Sequence, residues 1–478
     1  MTPSAPARDR NSTTIAIVGA GFSGTALAVR LLRDPPLEPC RVVIIERSGR
    51  FGGGLAYAGH AAKALLNVPA ARMSIDESRP DDFLDYLRSR GILAWPEEFV
   101  PRTLYGEYLE ARLRDAAATA PRPVNLVRAI GDVSSMSRRP GSPRWAVKLA
   151  DGRSVLADSV VLAIGHFRPR TPAALSELAS TDFYVADPWL LRPEDRRAER
   201  VLLVGTGLTM ADAACDLADH PQGPREIVAV SRRGLLSRQR LGSMPVAPVE
   251  SLEFASLDRA QDLRGMTSSV RSIVAEAEAA GIDWRDVMVA LRERVPDLWR
   301  RLPTDDRARF LRHLQPYWDV HRHQLPPRVG RRVQELIDQG RLRILAGRIT
   351  AAEVRDGQAI VSLRTRGGRD EQAARFDRVI NCTGPDADPR RVESSLVRNL
   401  VAGGHMVPDA TGTGIAVDDE FRVVGIDGAA TDGLRYLGPW LRARDLEATA
   451  VHELRRHATS LAAQLRRDVE RAHSAAVA

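Results

Sequence analysis

The stretch TIAIVGAGFSG, residues 14–24, determines how this chain begins to fold. Its apolar first half predicts a buried strand, and the Gly-x-Gly-x-x-Gly spacing of Gly19, Gly21 and Gly24 predicts a tight turn into a helix. A second apolar run follows and ends at Glu46. The order strand, glycine turn, helix, strand, acid is that of a βαβ unit that binds a dinucleotide.

Each residue type in this first unit has a physical role at a dinucleotide. Gly21 lets the backbone approach a pyrophosphate, and the free N–H groups that open the helix face its phosphates. Glu46 lies 22 residues after the last glycine, where a carboxylate binds ribose hydroxyls. Two anions repel, so this acid disfavours a 2′-phosphate and leaves NAD or FAD. The neighbouring residues predicted to bind the cofactor are Phe22, Ser23 and Arg47.

A second, weaker copy of the pattern begins near residue 201. The predicted strand is followed by Gly205 and Gly207, but Met210 stands where the third glycine would be. The helix that follows would present its first residues, Leu208 and Thr209, to a second set of phosphates. The sequence therefore predicts two dinucleotide-binding units in one chain.

The strand after this second glycine turn ends without an acid. Arg232 and Arg233 occupy the place that a carboxylate takes in an NAD-binding unit. Guanidinium groups there favour a 2′-phosphate, so NADP(H) is predicted over NAD(H). The alternative interpretation is a pair of exposed arginines at a strand end.

Composition argues against several other classes of protein. The chain has 478 residues, a hydrophobic fraction of 44% and a formal net charge of +8, which suits two or three globular domains. Its arginines are scattered and only 5% of its residues are aromatic, so we expect no nucleic-acid partner. No apolar run approaches the ~20 residues that span a bilayer. We therefore expect a cytoplasmic protein that does not bind membranes, whose basic excess serves polyphosphate cofactors.

The cysteines give no sign of a metal or disulfide site. Cys40, Cys215 and Cys382 are far apart, and no Cys-x-x-Cys occurs. Neither a disulfide framework nor a redox-active dithiol is therefore predicted, which fits a reducing compartment.

A short basic run supplies the candidate catalytic residues. His321, Arg322 and His323 follow one another, but no cysteine or carboxylate pattern completes a metal shell, so no metal is predicted. Their charge could hold a substrate carboxylate. The alternative, an exposed basic helix end, is equally compatible with the sequence.

The order of elements predicts an α/β fold with two Rossmann-like, dinucleotide-binding domains. A buried strand that ends at Gly165 follows the first unit, and a similar strand that ends at Gly384 follows the second. A charged, helical insertion is predicted at about 235–327, where it would shape a substrate pocket.

These segments together resemble a bacterial family of FAD/NAD(P)-binding flavoproteins that is distantly similar to class B flavin monooxygenases and amino-acid N-oxygenases. The segments that carry the resemblance are IVGAGFSG at 17–24, GLAY at 54–57, LLNVPA at 65–70, MS at 73–74, AIGH at 163–166, VGTGLTMAD at 204–212, YWDVHRH at 317–323, NCTGP at 381–385, LGP at 437–439 and EATA at 447–450.

The resemblance implies an FAD domain built from both chain ends, with the NAD(P)H domain inserted between them. It places these residues at FAD or NADPH: Gly54, Tyr57, Asn67, Val68, Met73, Gly165, His166, Gly384, Gly438, Pro439, Glu447 and Thr449. The implied divisions are a disordered tail at 1–12, the FAD domain at 13–195 and 376–478, and the NAD(P)H domain at 196–375.

The resemblance also implies an activity. It is that of an FAD- and NADPH-dependent monooxygenase, in which reduced flavin activates O2 to oxidise a heteroatom, as in N-hydroxylation of a small amino acid or amine. Two alternatives are an NAD(P)H-dependent reductase that passes electrons to another acceptor and a non-catalytic flavin-binding sensor. One departure from the family is the segment 441–444, LRAR, where a Leu-Arg-Gly turn is usual. The substrate and the oligomeric state stay open.

Overall fold

A computed structural model describes residues 12–59, 64–139, 141–241, 252–368 and 370–477. Nearly all of the predicted tail at 1–12 lies outside these residues. No helix among them combines the length and the apolar character needed to cross a bilayer.

Strands and helices alternate at the two glycine turns, and runs of strands or of helices make up most of the rest of the described chain. The strands are β1 (Thr13–Val18), β2 (Cys40–Glu46), β3 (Val124–Ile130), β4 (Val133–Arg138), β5 (Trp145–Leu149), β6 (Ser154–Ala157), β7 (Ser159–Leu162), β8 (Tyr184–Val185), β9 (Arg200–Val204), β10 (Glu226–Ser231), β11 (Leu342–Arg355), β12 (Gln358–Thr365), β13 (Glu371–Phe376), β14 (Arg378–Asn381), β15 (Arg422–Val424) and β16 (Ala430–Tyr436). The α-helices are α1 (Phe22–Arg33), α2 (Asp82–Ser89), α3 (Arg102–Thr119), α4 (Leu208–Ala218), α5 (Ala255–Arg259), α6 (Leu263–Ala279), α7 (Trp284–Leu291), α8 (Val295–Arg301), α9 (Thr304–Arg309), α10 (Gln315–Arg322), α11 (Pro327–Asp338), α12 (Ser395–Ala402) and α13 (Val451–Val477).

The first sheet has the strand order β15-β16-β7-β1-β2-β3. All neighbours in it are parallel except β15 and β16. The central strand β1 is apolar and almost wholly buried, as expected for a parallel sheet covered on both faces. Strands β15 and β16 come from the C-terminal part of the chain, so the N-terminal and C-terminal parts both contribute strands to this sheet.

The second sheet has the order β13-β12-β11-β10-β9-β14-β8. Its parallel part, β11-β10-β9-β14-β8, repeats the arrangement of the first sheet. The predicted divisions at 195/196 and 375/376 are wrong for two strands, because β8 and β14 pair here and not in the first sheet. The buried strand that ends at Gly384 belongs to the second unit, just as the strand that ends at Gly165 belongs to the first.

The two glycine turns show the same close approach of backbone. Gly19 and Gly205 have φ angles of 102° and 117°, a region that favours glycine. A Cβ on Gly19 would lie 2.3 Å from the carbonyl oxygen of Ala163, and one on Gly205 would lie 2.4 Å from that of Cys382. Only glycine therefore lets the strand that follows each unit pass so near.

The predicted insertion is helical. Helices α5 to α10 pack around their own apolar core, which contains Ile273, Leu291 and Trp299 and also receives Leu446 from the C-terminal part of the chain. Because Leu446 joins this core, the insertion is anchored to the segment that leads into α13.

A buried ion pair joins the two units directly. Arg102 on α3 contacts Asp212 on α4 at 3.0 Å, and the two side chains are only 11% and 12% exposed. Burial raises the pKa of Asp212, and the Arg102 guanidinium opposes that rise. Arg102 also donates through Nε to the carbonyl oxygen of Leu65, so one side chain holds a loop of the first unit against the second.

Candidate functional site

A cleft of about 420 Å³ opens at the carboxyl ends of β1, β2 and β7. This edge of a parallel sheet is where nucleotides bind in such folds. The predicted cofactor residues that line the cleft are Gly19, Gly21, Phe22, Ser23, Glu46, Arg47, Gly54, Tyr57, Gly165, His166, Pro439 and Thr449. The structure thus brings together residues that are hundreds of positions apart in the chain.

The floor of the cleft fits a pyrophosphate. Helix α1 begins at Phe22, and Gly21 before it supplies no side-chain cap for the helix. The first N–H groups of α1 are therefore left for an anion, which the helix dipole also favours. Gly24 lies against the loop, since a Cβ there would meet the carbonyl oxygen of Gly19 at 1.9 Å; it packs the helix and does not line the cleft.

Glu46 at the end of β2 is buried and holds the glycine loop. Its carboxylate accepts from the backbone N–H of Ala20 at 2.9 Å and from the N–H and hydroxyl of Ser48 at 2.9 and 2.8 Å. Oε1 accepts both bonds from Ser48, so Oε2, which accepts only from Ala20, keeps further acceptor capacity. The residues therefore fit the adenosine end of FAD, and Ser48 is a partner that the sequence pattern did not reveal.

An aromatic layer supports the wall that Gly54 and Tyr57 form. The Tyr57 ring meets the edge of Tyr105 with centroids 4.8 Å apart, and burial raises the pKa of Tyr57 to about 12. A Cβ on Gly54 would lie 2.9 Å from the Cα of Gly21. The loop after β2 thus lies directly over the glycine turn and narrows the cleft.

The opposite wall carries His166 and the segment that follows β16. His166 is exposed to the open cleft; desolvation by the cleft walls, and then the nearby Arg442, lower its pKa to about 4, so its imidazole is neutral at pH 7. Residues Pro439–Ala443 form a 3₁₀ helix. This helix contains the first three residues of the unusual LRAR segment at 441–444. Phe167 stacks on Trp440 with ring centroids 5.0 Å apart and so joins the two segments of this wall.

Several predicted cofactor residues lie outside this cleft. Val68 lines a separate small cavity, Met73 is buried in the main core, and Asn67, just before Val68 in the chain, is half-buried. Gly438 packs against the Tyr436 hydroxyl. Their roles at a cofactor stay predictions.

The second glycine turn forms a matching site at the ends of β9 and β10. Helix α4 begins at Leu208, with no side-chain cap from Gly207, and Thr209 lies in its first turn. The turn is held where the Thr206 hydroxyl donates to Ser231 Oγ at 2.8 Å. Gly384 follows the neighbouring strand β14, so it belongs beside this second turn.

The two arginines after β10 differ in their surroundings. Arg232 is exposed. Arg233 reaches the insertion, where it donates to the carbonyl oxygens of Arg312 and His313 at 3.4 Å and lies 5.5 Å from the Tyr317 ring centroid. Arg232 is thus the freer cation, while Arg233 ties the second unit to the insertion.

The three candidate catalytic residues lie at the end of α10, away from the lining of the cleft. Arg322 forms an ion pair with the buried Glu447 at 2.7 Å, and Trp318 donates to the same carboxylate at 2.9 Å. His321 packs its ring edge against Trp284, and His323 lies 3.6 Å from Asp319. With Arg322 only 11% exposed, the run is not simply an exposed helix end; a catalytic role stays a prediction.

Other residues that line the cleft escaped sequence reasoning. Val451 and Leu454 carry a usable signal, the i, i+3 apolar spacing at the start of a long helix. The others carry no local pattern that marks them; among them are Arg50, Leu55, Gly131 and Asp132 in loops, and Ser394 and Leu396 at the start of α12. Among the described residues, no group of three or more His, Cys, Asp or Glu side chains is placed to hold a metal ion.

Comparison with known proteins identifies the class of fold and site. Residues 16–167 match the sequence profile of a family described as FAD-NAD(P)-binding. This match confirms the resemblance to an FAD/NAD(P)-binding family over the first unit; which residues of the cleft hold the nucleotide stays a prediction. No curated protein sequence matches the chain.

Solved structures share the fold over nearly the whole chain. An ornithine N-hydroxylase from Kutzneria sp. 744 is 18% identical, with 96% of this chain and 99% of that chain covered and a TM-score of 0.63. An ornithine hydroxylase from Pseudomonas aeruginosa is 15% identical (95% and 99% covered, TM-score 0.64). A cadaverine monooxygenase from Erwinia amylovora is 14% identical (94% and 92% covered, TM-score 0.63). At these identities the shared feature is the fold, and the predicted two-domain α/β class is confirmed.

Proposed function

We propose that the chain is an FAD- and NADPH-dependent monooxygenase that hydroxylates the nitrogen of a small amine or amino acid. The reaction is R–NH2 + O2 + NADPH + H⁺ → R–NHOH + H2O + NADP⁺. One oxygen atom forms the N–O bond and the other leaves as water, and the two electrons come from NADPH. The proposal is supported by neighbours of the same fold, which include hydroxylases of ornithine and a monooxygenase of cadaverine.

The observation that carries the proposal is that the cysteines of this chain, which has two predicted nucleotide sites, are free and protonated thiols. All three cysteines of the chain are free thiols, and burial raises the pKa of each, to about 12 for Cys40 and Cys215. Protonated, separated thiols cannot relay electrons as a dithiol. Electrons that reach a flavin in the cleft therefore have no dithiol relay in this protein, which argues against a reductase of the dithiol type and leaves oxygen as the acceptor that the proposal assigns.

The chain's own residues would bind and orient the reactants. The α1 N-terminus and the Glu46-held loop would hold FAD, which when bound and reduced supplies the activation of O2. The neutral His166 can donate or accept one hydrogen bond at the cleft without adding charge. The insertion and the segment 447–454 would cover the site and exclude water, because water promotes unproductive loss of activated oxygen.

Rapid mixing tests this function. Enzyme reduced with NADPH is mixed with buffer containing ¹⁸O2 and a panel of amines and amino acids, and the products are read by mass. We expect one ¹⁸O atom in the product and NADPH consumption that rises with the substrate. If all the electrons from NADPH are recovered as free hydrogen peroxide with every compound tested, the proposal is wrong. An NAD(P)H-dependent reductase is then the better interpretation.

Coenzyme preference gives a second prediction. Replacing Arg232 and Arg233 together by alanine should raise the KM for NADPH about tenfold or more and leave that for NADH nearly unchanged, because each charge-assisted contact to a phosphate contributes about 1.5–3 kcal/mol. Steady-state kinetics with both coenzymes measures it. The control variant is Arg225→Ala, which removes one exposed charge at the opposite end of β10. It should change neither the KM for NADPH nor the KM for NADH. Equal use of both coenzymes by the native protein would contradict the prediction.

A further inference from the structure

The helical insertion contains a large apolar cavity of its own. Its volume is about 870 Å³, within the range of small-molecule sites in proteins. The wall is built by α5 to α8, by α10 and by Leu446, and none of its residues lines the nucleotide cleft. Protein cores rarely keep spaces larger than a water molecule. A space of this size among the helices of one core is therefore a candidate binding site, separate from the cleft.

Among the described residues of this wall, full charges occur only at the rim. Arg271 and Glu278 have opposite signs, and both are exposed on α6. The hydroxyl of Thr267 is already engaged, since it donates to the carbonyl oxygen of Leu263 at 2.7 Å. An ion inside the cavity would lose its hydration without gaining a charged partner. The cavity therefore suits a ligand without net charge.

Aromatic side chains are concentrated in the wall. Only 5% of the residues in the chain are aromatic, yet five of the side chains that line the cavity are: Trp284, Trp299, Phe310, Tyr317 and Trp318. Phe310 meets Trp299 and Trp318 edge to face, with centroids 5.5 and 6.3 Å apart. Trp284, Phe310 and Trp318 are half-buried, so part of each ring stays accessible. Such rings favour an aromatic ligand over an aliphatic one of the same size.

The backbone is irregular where the wall is aromatic. Residues Phe310–Leu314 form a π-helical turn between α9 and α10, and the first and last of them both line the cavity. π-Helical turns are rare and are frequently found at functional sites. The turn therefore supports a binding role for this part of the insertion.

His321 supplies a hydrogen-bond acceptor in the wall. Its Nδ1 lies 2.7 Å from the carbonyl oxygen of Tyr317. A carbonyl oxygen only accepts, so Nδ1 carries the proton and Nε2 of the neutral ring is an acceptor. Among the described residues, none donates to this Nε2. Trp284 packs edge-on against the same imidazole with centroids 5.0 Å apart, so the acceptor lies beside the aromatic wall.

We propose that this cavity binds an uncharged small molecule that carries an aromatic ring and an N–H or O–H donor. The ring would pack among Trp284, Phe310 and Trp318, and the donor would bind Nε2 of His321. A protein partner fits less well, because stable interfaces between proteins bury about 1,200–2,000 Å² and this site is a concave space of small-molecule size. Because the site is separate from the cleft, the proposal does not depend on the proposed function.

Calorimetric titration of the FAD-loaded enzyme tests the site, with indole as the smallest probe of this chemistry. We expect one indole per chain. N-methylindole lacks the donor and cyclohexanol lacks the aromatic ring, so each should bind about tenfold more weakly. Tryptophan in place of the half-buried Val274 on α6 would fill the cavity. Val274→Trp should therefore lose indole binding at least tenfold and keep its thermal midpoint and its FAD.

Two matched variants complete the test. Ser272→Trp adds the same side chain at an exposed position of α6 outside the cavity wall and should bind indole as the native protein does. Trp284→Leu keeps the wall apolar but removes one ring, so indole should bind about three- to tenfold more weakly while the affinity for cyclohexanol is unchanged.

Three results would overturn the proposal. If NADP⁺ displaces indole, or if Val274→Trp binds indole as tightly as the native protein, the indole lies elsewhere. Equal affinities of the native enzyme for indole and cyclohexanol would exclude an aromatic ligand class. Sedimentation could instead show a native dimer that dissociates in Val274→Trp and binds no indole. In that case a second copy of the chain covers the cavity.

Discussion

Gly21→Leu protein is expected to purify colourless. A Cβ at this position lies 3.6 Å from its nearest neighbour, the Cα of Gly54, so the fold tolerates the substitution. The rest of the leucine side chain must enter the space before the α1 N-terminus, where a pyrophosphate would lie. Losing two charge-assisted contacts there weakens FAD binding by about 100-fold or more. Absorbance of the purified protein at flavin wavelengths, per mole of chain, measures the loss.

The second glycine turn provides the matched control for this variant. A Cβ on Gly207 would have no neighbouring atom within 4 Å, so Gly207→Leu should also fold. It should retain FAD and stay yellow while losing NADPH binding, because it blocks the other turn. Full flavin occupancy in Gly21→Leu would show that the first turn does not hold the pyrophosphate.

Removing the carboxylate of Glu447 is expected to destabilise the protein strongly. Glu447 is 2% exposed; burial raises its pKa, but Arg322 first and then His323 and Trp318 hold it below the usual range. Glu447→Ala would leave Arg322, which is only 11% exposed, without its carboxylate partner. The expected loss of unfolding free energy is about 3–5 kcal/mol, seen as a lower thermal midpoint.

Two further variants distinguish loss of the Arg322–Glu447 ion pair from a nonspecific loss of stability. In the double variant Glu447→Ala with Arg322→Met, the unpaired charge is gone, so most of the lost stability should return. Glu293→Ala removes an exposed carboxylate that pairs with Arg456 and should cost at most about 1 kcal/mol. The interpretation fails if Glu447→Ala lowers the midpoint no more than Glu293→Ala does.

Sequence reasoning was most successful for features in which the functional residues and the backbone conformation they require lie in one short stretch of the chain. The βαβ unit at 14–46, its repeat near 201 and the helical insertion are all present in the structure. Predicted residues from both chain ends, such as Gly21 and Thr449, meet in one cleft. The strand β14 was assigned to the wrong sheet because a buried apolar strand carries no mark of its partner.

The arginines show the limit of such reasoning. In the sequence, Arg72, Arg240 and Arg292 are scattered members of a basic composition, each indistinguishable from a surface charge. Only packing of the insertion against the first unit brings them to one cavity, and only the positions of Glu447 and Glu453 decide which of them are neutralised.

The amino-acid sequence by itself determined the two nucleotide turns, since a glycine spacing and an acid at a strand end act over short stretches where backbone conformation is local. The tertiary structure alone decided which sheet β8 and β14 join and which residues are the partners of Glu46 and Glu447. Those features depend on which distant surfaces are buried together. The energy of a buried charge is set by its neighbours in space and leaves no periodic trace along the chain.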